Sequence, residues 1–172
     1  MAYVQFSPAL RDLHETISRL EALFPACGEA DLVVLPELCN SGYSFCSKKE
    51  AFDSSEQIEN SQFLSFLGAR CREYSLDIVT GFNERSGNTL YNSAVLIGPE
   101  GYVGSYRKMH LFMNEKDYFC PGDNGLPVFQ RQNAVIGLLV CYDWFFAEVW
   151  KILALKGADI ILITEDVIID VR

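Results

Sequence analysis

The 172-residue sequence predicts a layered α/β protein in which helices pack against a mixed sheet. Strand-like and helix-like segments alternate in the order βαβαβ, a hairpin, then βαβ, and this alternation is typical of crossover connections. Several strand-like segments are continuous apolar runs, which is the pattern of strands buried on both faces. The sequence contains no repeat, low-complexity segment or linker, so residues 1–172 are interpreted as a single domain.

The first part of the chain alternates strand, helix and strand. Residues 2–6 are rich in β-forming side chains, and Pro8 marks a break after them. A helix is predicted over about 12–24, because apolar side chains recur there at helical spacing. These side chains are Leu13, Ile17, Leu20 and Phe24. The run Leu32–Leu35 is then continuously apolar and predicts a buried strand that ends at Pro36.

The middle of the chain is predicted to contain a loop, a helix and three strands. Residues 39–55 are mostly polar and include a glycine, which indicates a loop. A second helix spans about 59–74, because its apolar residues share one face. A strand follows at 78–82. A Gly-Pro-Glu-Gly turn then joins strands at Tyr91–Ile97 and Tyr102–Tyr106, which predicts a hairpin.

The last part of the chain is predicted to form one βαβ unit after a long loop at 111–127. Val135–Val140 is a second buried apolar strand. Asp143 is expected to cap a helix that runs to about Lys156, because an aspartate accepts well from the first free amides of a helix. Ile160–Ile163 is the last clear strand.

Charge and hydropathy argue against nucleic acids and membranes as partners. The formal net charge is −9 and the basic residues are scattered, whereas phosphate binding needs clustered Lys and Arg. An anionic membrane surface would require similar clusters. No apolar run in the sequence approaches the length of a membrane span.

The cysteines and histidines predict a cytoplasmic protein without a metal site. The N-terminus lacks the basic start and apolar stretch of a signal peptide, and no two cysteines form a CxxC pair. We therefore expect six reduced thiols. They are Cys27, Cys39, Cys46, Cys71, Cys120 and Cys141. His14 and His110 have no second ligand at metal-site spacing.

Three residues with complementary chemistry each follow a predicted strand. Glu37, Lys108 and Cys141 come just after separate strands, and ligands of open α/β sheets gather at the carboxyl ends of strands. A carboxylate can take the proton of a thiol as the sulfur attacks. An ammonium group can stabilise a tetrahedral oxyanion and favour the thiolate. The amide of Tyr142 is a natural second oxyanion donor.

Each of these residues also has a structural interpretation. A cysteine at a strand end is usually a small buried hydrophobe. Glu37 fits a solvated loop equally well, and Lys108 beside Arg107 fits a surface cation. The spacing alone therefore leaves both interpretations open.

Three stretches of the sequence resemble the nitrilase superfamily of carbon–nitrogen hydrolases. The stretch ADLVVLPELCNSGY at 30–43 is similar to its glutamate segment, YRKMHLF at 106–112 to its lysine segment and GLLVCYDW at 137–144 to its cysteine segment. All three occur in the order found in the family. The stretches VQFSP at 4–8 and YNSA at 91–94 also match, so the resemblance covers nearly the whole chain.

The resemblance implies a four-layer α-β-β-α sandwich, of which this chain is the N-terminal two-thirds. It implies that Glu37 is the general base, Lys108 the oxyanion-stabilising lysine and Cys141 the nucleophile. A second glutamate, Glu115, matches a family residue that positions the lysine and substrate, although an exposed loop acid is the alternative interpretation. The aromatic residues Tyr43, Tyr142 and Trp144 are candidate walls of the substrate pocket, with core packing as their alternative.

The resemblance also implies an activity. The expected reaction is hydrolysis of a non-peptide C–N bond in a small amide or N-carbamoyl compound, ahead of a nitrile. No cofactor is implied, and members of the family commonly form homo-oligomers.

The sequence departs from the family pattern at two places. Ala147 stands before Glu148, where the family often has proline. Residues 164–172 do not resemble the polar segment with which relatives continue, so the domain is expected to be incomplete at its C-terminus. This difference leaves an alternative function, in which the chain is a truncated paralogue or fragment that only binds or pairs with another subunit. A thiol-based redox function has less support, because no resolving cysteine stands near Cys141.

Overall fold

The computed structural model describes residues 1–165 and contains two β-sheets. The strands are β1 (Ala2–Tyr3), β2 (Leu32–Val34), β3 (Asp77–Ser86), β4 (Thr89–Gly98), β5 (Gly101–Arg107), β6 (Val128–Gln130), β7 (Val135–Val140) and β8 (Ile160–Thr164). The α-helices are α1 (Leu13–Leu23), α2 (Lys48–Asp53), α3 (Gln62–Tyr74), α4 (Glu115–Tyr118) and α5 (Ala147–Leu155). Short 3-10 helices lie at Phe24–Cys27, Ile58–Asn60 and Cys141–Phe145.

The strand order places several strand ends at one edge. The first sheet has the order β1-β2-β3-β4-β5, and the second has the order β6-β7-β8. Strands β1, β2 and β3 are parallel, and two antiparallel hairpins connect β3, β4 and β5. In the second sheet β7 is parallel to β8 and antiparallel to β6. Because β4 reverses the direction once and β5 reverses it again, β2, β3 and β5 all end at the same edge.

Two apolar clusters give the molecule its layers. Alternate side chains of the first sheet point to opposite faces, as the period of a strand requires. One face packs against α1 and α3, with Leu20 and Leu67 fully buried. The other face contributes Val34, Val79 and Leu96 to a second cluster with β7, β8 and α5. The layers follow the order helix, sheet, sheet, helix, as predicted.

Side-chain caps fix the ends of the two longest helices. Asp12 accepts a hydrogen bond from the amide of Glu15 at 3.0 Å and begins α1. Ser61 accepts from the amide of Leu64 at 2.9 Å and begins α3. Ser75 is the C-cap of α3, and its φ of 55° is left-handed, as is typical of helix C-termini.

The structure corrects three local predictions. The predicted loop at 39–55 contains α2, and the predicted loop at 111–127 contains α4, because polar sequences can form short helices when tertiary contacts hold them. Strand β6 was not predicted. Asp143 does not cap α5, because it is buried in the 3-10 helix Cys141–Phe145, and α5 begins only at Ala147. The predicted hairpin is confirmed as β4 and β5.

None of the helices in the described part of the chain has the length and hydropathy that crossing a lipid bilayer requires. Residues 164–172, which do not resemble the family pattern, lie mostly outside the described structure, which ends at residue 165.

Candidate active site

Three ionisable side chains from distant parts of the sequence meet at the carboxyl edge of the first sheet. The Nζ atom of Lys108 donates to Oε1 of Glu37 and to Oε1 of Glu115, both at 2.8 Å. Glu37 follows β2 and Lys108 directly follows β5, so the shared edge of these strands brings them together. All three side chains are buried, and Lys108 has no exposed surface. The buried ammonium group is compatible with folding because both carboxylates accept hydrogen bonds from it.

Asn92 is a fourth member of this cluster and was not predicted as a site residue. Its Nδ2 group donates to Oε1 of Glu37 at 2.7 Å and to Oε1 of Glu115 at 2.9 Å. Its backbone carbonyl accepts from the amide of Lys108 at 2.8 Å. Asn92 therefore holds both carboxylates and the lysine backbone. The only sequence signal was its place in the YNSA stretch.

Glu115 is buried rather than an exposed loop acid, so that alternative interpretation is wrong. Besides Lys108 and Asn92, the hydroxyl of Tyr43 donates to its Oε1 at 3.0 Å. Its Oε2 accepts from the amide of Phe112 at 2.6 Å. Glu115 thus has a fixed orientation, with one oxygen directed to Lys108 and the other to its own loop.

A glycine allows the strand beside Glu37 to come unusually close. A Cβ atom at Gly81 would lie 2.3 Å from Cα of Glu37 and 2.5 Å from the amide nitrogen of Leu38. Any side chain at this position would displace the backbone that carries the carboxylate. Leu38, the next residue, has a φ of 46°, so the chain turns sharply just after Glu37.

Cys141 also lies in a strained turn. Its φ is 40°, in the left-handed region that side chains other than glycine rarely occupy. Such a conformation costs about 1–3 kcal/mol and is concentrated at functional sites. Cys141 directly follows β7 of the second sheet, and the charges of Glu37 and Lys108 both act on its thiol. The amide of Tyr142 belongs to the first turn of the following 3-10 helix, where amides lack helical partners.

Burial and charge shift the pKa values of these groups strongly. Burial raises the pKa of Glu37 to about 7, the charge of Lys108 acts against this rise, and Glu115 adds to it. Burial also raises the pKa of the Cys141 thiol to about 12, together with the charge of Glu37 and a side-chain hydrogen bond to it. Burial alone would lower the pKa of Lys108, but the charges of Glu37 and Glu115 outweigh it and raise that pKa. The lysine therefore remains an ammonium ion.

The two oxygens of the Glu37 carboxylate have different surroundings. Oε1 accepts from Lys108 and Asn92, whereas Oε2 is buried and has no nitrogen or oxygen donor within residues 1–165. A buried acceptor without such a donor is unusual and needs an explanation. The Glu37 side chain acts on the Cys141 thiol through its charge and as a hydrogen-bond partner, so the carboxylate and the sulfur are neighbours.

The three predicted aromatic walls lie in different surroundings. The hydroxyl of Tyr43 reaches Glu115 in the charged cluster. Tyr142 contacts Phe112, with 4.9 Å between ring centroids, and borders a cleft of about 460 Å³ that His110 and Phe146 also line. Trp144 is 49% exposed, and its ring contacts Phe145 rather than the charged cluster.

No cluster of three or more His, Cys, Asp or Glu side chains in the described residues is arranged to hold a metal ion.

Comparison with known proteins identifies a family. A family model described as carbon-nitrogen hydrolase matches residues 1–170. A nitrilase from Pyrococcus abyssi is 43% identical over 163 residues, which are 94% of this chain and 62% of that protein. An (R)-stereoselective amidase from a Pseudomonas species is 35% identical over 94% of this chain and 58% of its own length.

A solved structure supports the same conclusion. The crystal structure of a carbon-nitrogen hydrolase from Helicobacter pylori G27 superposes with a TM-score of 0.80 at 30% sequence identity. The match covers 96% of this chain and 59% of that one. The chain thus spans about three-fifths of the length of the relatives it matches.

Proposed function

This chain belongs to the carbon–nitrogen hydrolase family, and we propose that it hydrolyses a non-peptide C–N bond through a thioester on Cys141. The proposed substrate is a small amide or N-carbamoyl compound. The observation that carries the proposal is the buried Lys108, bound to Glu37 and Glu115 at 2.8 Å beside the thiol of Cys141.

The first half of the proposed reaction acylates the thiol. Oε2 of Glu37 accepts the proton of Cys141 as Sγ forms a bond to the substrate carbonyl carbon. The carbonyl oxygen becomes an oxyanion, which the Lys108 ammonium and the Tyr142 amide stabilise. When the tetrahedral intermediate collapses, Glu37 returns the proton to the nitrogen, the C–N bond breaks, and ammonia or an amine leaves.

The second half releases the acid. Glu37 removes a proton from water, and the resulting hydroxide attacks the thioester carbon. The same donors stabilise the second oxyanion. The C–S bond then breaks, the sulfur recovers its proton from Glu37, and the carboxylic acid product leaves.

The neighbours of the triad support these roles through charge and geometry. In this proposal, Glu115 keeps Lys108 protonated and directed towards the oxyanion. Asn92 holds Oε1 of Glu37, which leaves Oε2 for the proton. Tyr43 and Tyr142 are proposed as pocket walls, and Trp144 stays a prediction from sequence.

Replacement of the nucleophile tests the proposal most simply. Cys141→Ala is expected to abolish turnover of small amides, N-carbamoyl compounds and nitriles assayed as a panel. Cys71→Ala is the matched control, because Cys71 is a fully buried residue of α3 in the first apolar cluster and lies outside the site. Measurable turnover by the parent that persists in Cys141→Ala would overturn the mechanism.

Protection of the thiol distinguishes the enzyme from the alternative functions. A substrate that occupies the site should slow alkylation of Cys141 while leaving that of the exposed Cys46 unchanged. A pairing subunit or a redox thiol would show no protection by amides.

We also propose a cytoplasmic location, because all six cysteines are free in the structure and reduced thiols persist in that compartment.

A further inference from the structure

A buried aspartate joins the turn of Cys141 to the segment that carries Lys108. Asp143 has no exposed surface and lies two residues after Cys141. Its Oδ2 accepts from the hydroxyl of Tyr106 at 2.9 Å and from the amide of Val140 at 3.2 Å. Its Oδ1 accepts from the amide and from Nδ1 of His110, at 3.0 Å and 2.8 Å. The carboxylate thus has four donors.

Asp143 and its donors flank both Lys108 and Cys141 in the sequence. Tyr106 and His110 flank Lys108 in sequence, and the Tyr106 hydroxyl also accepts from the amide of Met109 at 3.1 Å. Val140 and Asp143 flank Cys141 and its strained backbone. Lys108 follows β5 of the first sheet, whereas Cys141 follows β7 of the second, so the distance between them depends on how the sheets pack.

We propose that Asp143 is a positioning residue, which holds the Cys141 turn against the Lys108 segment through Tyr106 and His110. The inference rests on the proposed chemistry of Cys141, but it concerns the geometry of the site rather than the hydrolysis of a substrate. His110 contributes a fixed ring: a carboxylate only accepts, so Nδ1 carries a proton, and the ring stacks on Phe146 with 3.8 Å between centroids. A small displacement has a large effect, because moving a catalytic group by about 1 Å can reduce a rate ~10²-fold.

A double-mutant cycle tests the proposal through the reactivity of Cys141. The readout is the pH profile of Cys141 alkylation by iodoacetamide, followed by mass spectrometry of the full 172-residue chain. Lys108, Glu37 and Glu165 act on the thiol electrostatically, so displacement of Lys108 moves this profile. The four proteins are the parent, Tyr106→Phe, Lys108→Met and the double variant. Tyr106→Phe removes one buried hydroxyl and keeps the ring.

The expected result is strong coupling. Lys108→Met should move the profile to higher pH in the parent, because the ammonium lowers the thiol pKa. Tyr106→Phe alone should slow labelling of Cys141 near neutral pH roughly tenfold, because it partly displaces Lys108 from the thiol. In the Tyr106→Phe background, Lys108→Met should shift the profile much less. Equal shifts in both backgrounds would overturn the proposal, since a merely structural role does not alter the effect of Lys108.

Two further variants separate positioning from general destabilisation. Tyr102→Phe is the matched control on β5, because that hydroxyl contacts Ser105 at an exposed site, and it should leave the profile unchanged. His110→Asn keeps a donor near Nδ1 and should retain the parent profile, whereas His110→Ala should resemble Tyr106→Phe. Identical profiles for His110→Asn and His110→Ala would contradict the role of the His110–Asp143 bond. If only the hydrolase proposal fails, Tyr106 and Lys108 should still show the predicted coupling, but no amide should be hydrolysed.

Discussion

At the scale of residues, the central feature is a thiol and a carboxylate that share one transferable proton. The pKa of Glu37 is raised to about 7 and that of Cys141 to about 12, so one proton leaves the pair near neutral pH and the second only at high pH. Loss of the first proton gives either an ionised carboxylate beside a thiol or, after transfer, a thiolate beside an acid. In the proposed mechanism, the second form is the nucleophile.

The pH dependence of Cys141 alkylation should therefore have two steps. The rate is expected to rise as pH increases through about 7, reach a plateau, and rise again towards about 12. Glu37→Gln removes a charge that raises the thiol pKa, so a single step at a pH below 12 should remain. Rapid labelling kinetics across the pH range measure this profile. A parent profile with one step near the ordinary thiol pKa would contradict the pairing.

Lys108→Met should act in the opposite direction on the same profile. The Lys108 charge lowers the pKa of both Glu37 and Cys141, so its loss moves both steps to higher pH. In a protein that hydrolyses its substrate, each of Glu37→Gln and Lys108→Met is expected to reduce the rate of hydrolysis by ~10²-fold or more. Lys151→Met on the exposed side of α5 is the matched control. A shift to lower pH in Lys108→Met would exclude the proposed charge effect.

The sequence was informative about residues that follow apolar strands and uninformative about those within them. Glu37, Lys108 and Cys141 stand at strand ends, where the change from apolar to polar residues marks them. Asn92 lies inside β4, in a segment whose neighbours are nearly all buried, so its only signal was the resemblance of the YNSA stretch, which implied no role for it. The left-handed φ of Cys141 could not be predicted either, because cysteine has no sequence preference for that conformation.

At the scale of elements, close contact between β3 and the Glu37 loop makes Gly81 critical. Gly81→Ala would place a methyl group 2.3 Å from the Glu37 backbone, so Glu37 must move. We expect a loss of the labelling step near pH 7 and a lower melting temperature. Gly68→Ala in α3 is the control, because its nearest neighbour would lie at 3.6 Å and alanine favours helices by about 1 kcal/mol. An unchanged profile in Gly81→Ala would mean that β3 does not fix Glu37.

Elements with a strong apolar pattern were predictable, and short polar ones were not. Helices α1 and α3 have apolar residues at helical spacing, and strands β2, β7 and β8 lie in continuous apolar runs, so their positions follow from sequence. Helices α2 and α4 span six and four residues, too short for a periodic signal. Helix α4 is nevertheless important, because it begins at Glu115.

At the scale of the whole molecule, several large apolar side chains are exposed in the part of the chain that follows Cys141. They belong to α5 and the 3-10 helix before it, and they are Trp144, Phe145, Trp150, Ile152 and Leu155. Contiguous exposed apolar surface usually marks an interface or causes association. We therefore predict that residues 1–172 alone associate in solution, as homo-oligomers or larger species, and hydrolyse amides poorly.

Light scattering coupled to size-exclusion chromatography measures this association. Leu155→Glu should reduce it, because Leu155 is 78% exposed on α5. Leu10→Glu changes another exposed leucine, which precedes α1, and should have little effect. Fusion to the C-terminal part of the Pyrococcus abyssi nitrilase is expected to reduce association and increase turnover. A monodisperse monomer of residues 1–172 with substantial turnover that depends on Cys141 would show that this prediction is wrong.

The central claim is that Cys141 carries the acyl group during hydrolysis, and rapid acid quenching with peptide mass spectrometry tests it directly. The 172-residue chain, alone and in the fusion above, is mixed with amides that it hydrolyses and quenched within the first turnover. We predict that the mass of the substrate acyl group appears on the Cys141 peptide, accumulates before product release and is absent in Cys141→Ala. Turnover without an acylated Cys141 peptide, or turnover that persists in Cys141→Ala, would contradict the account.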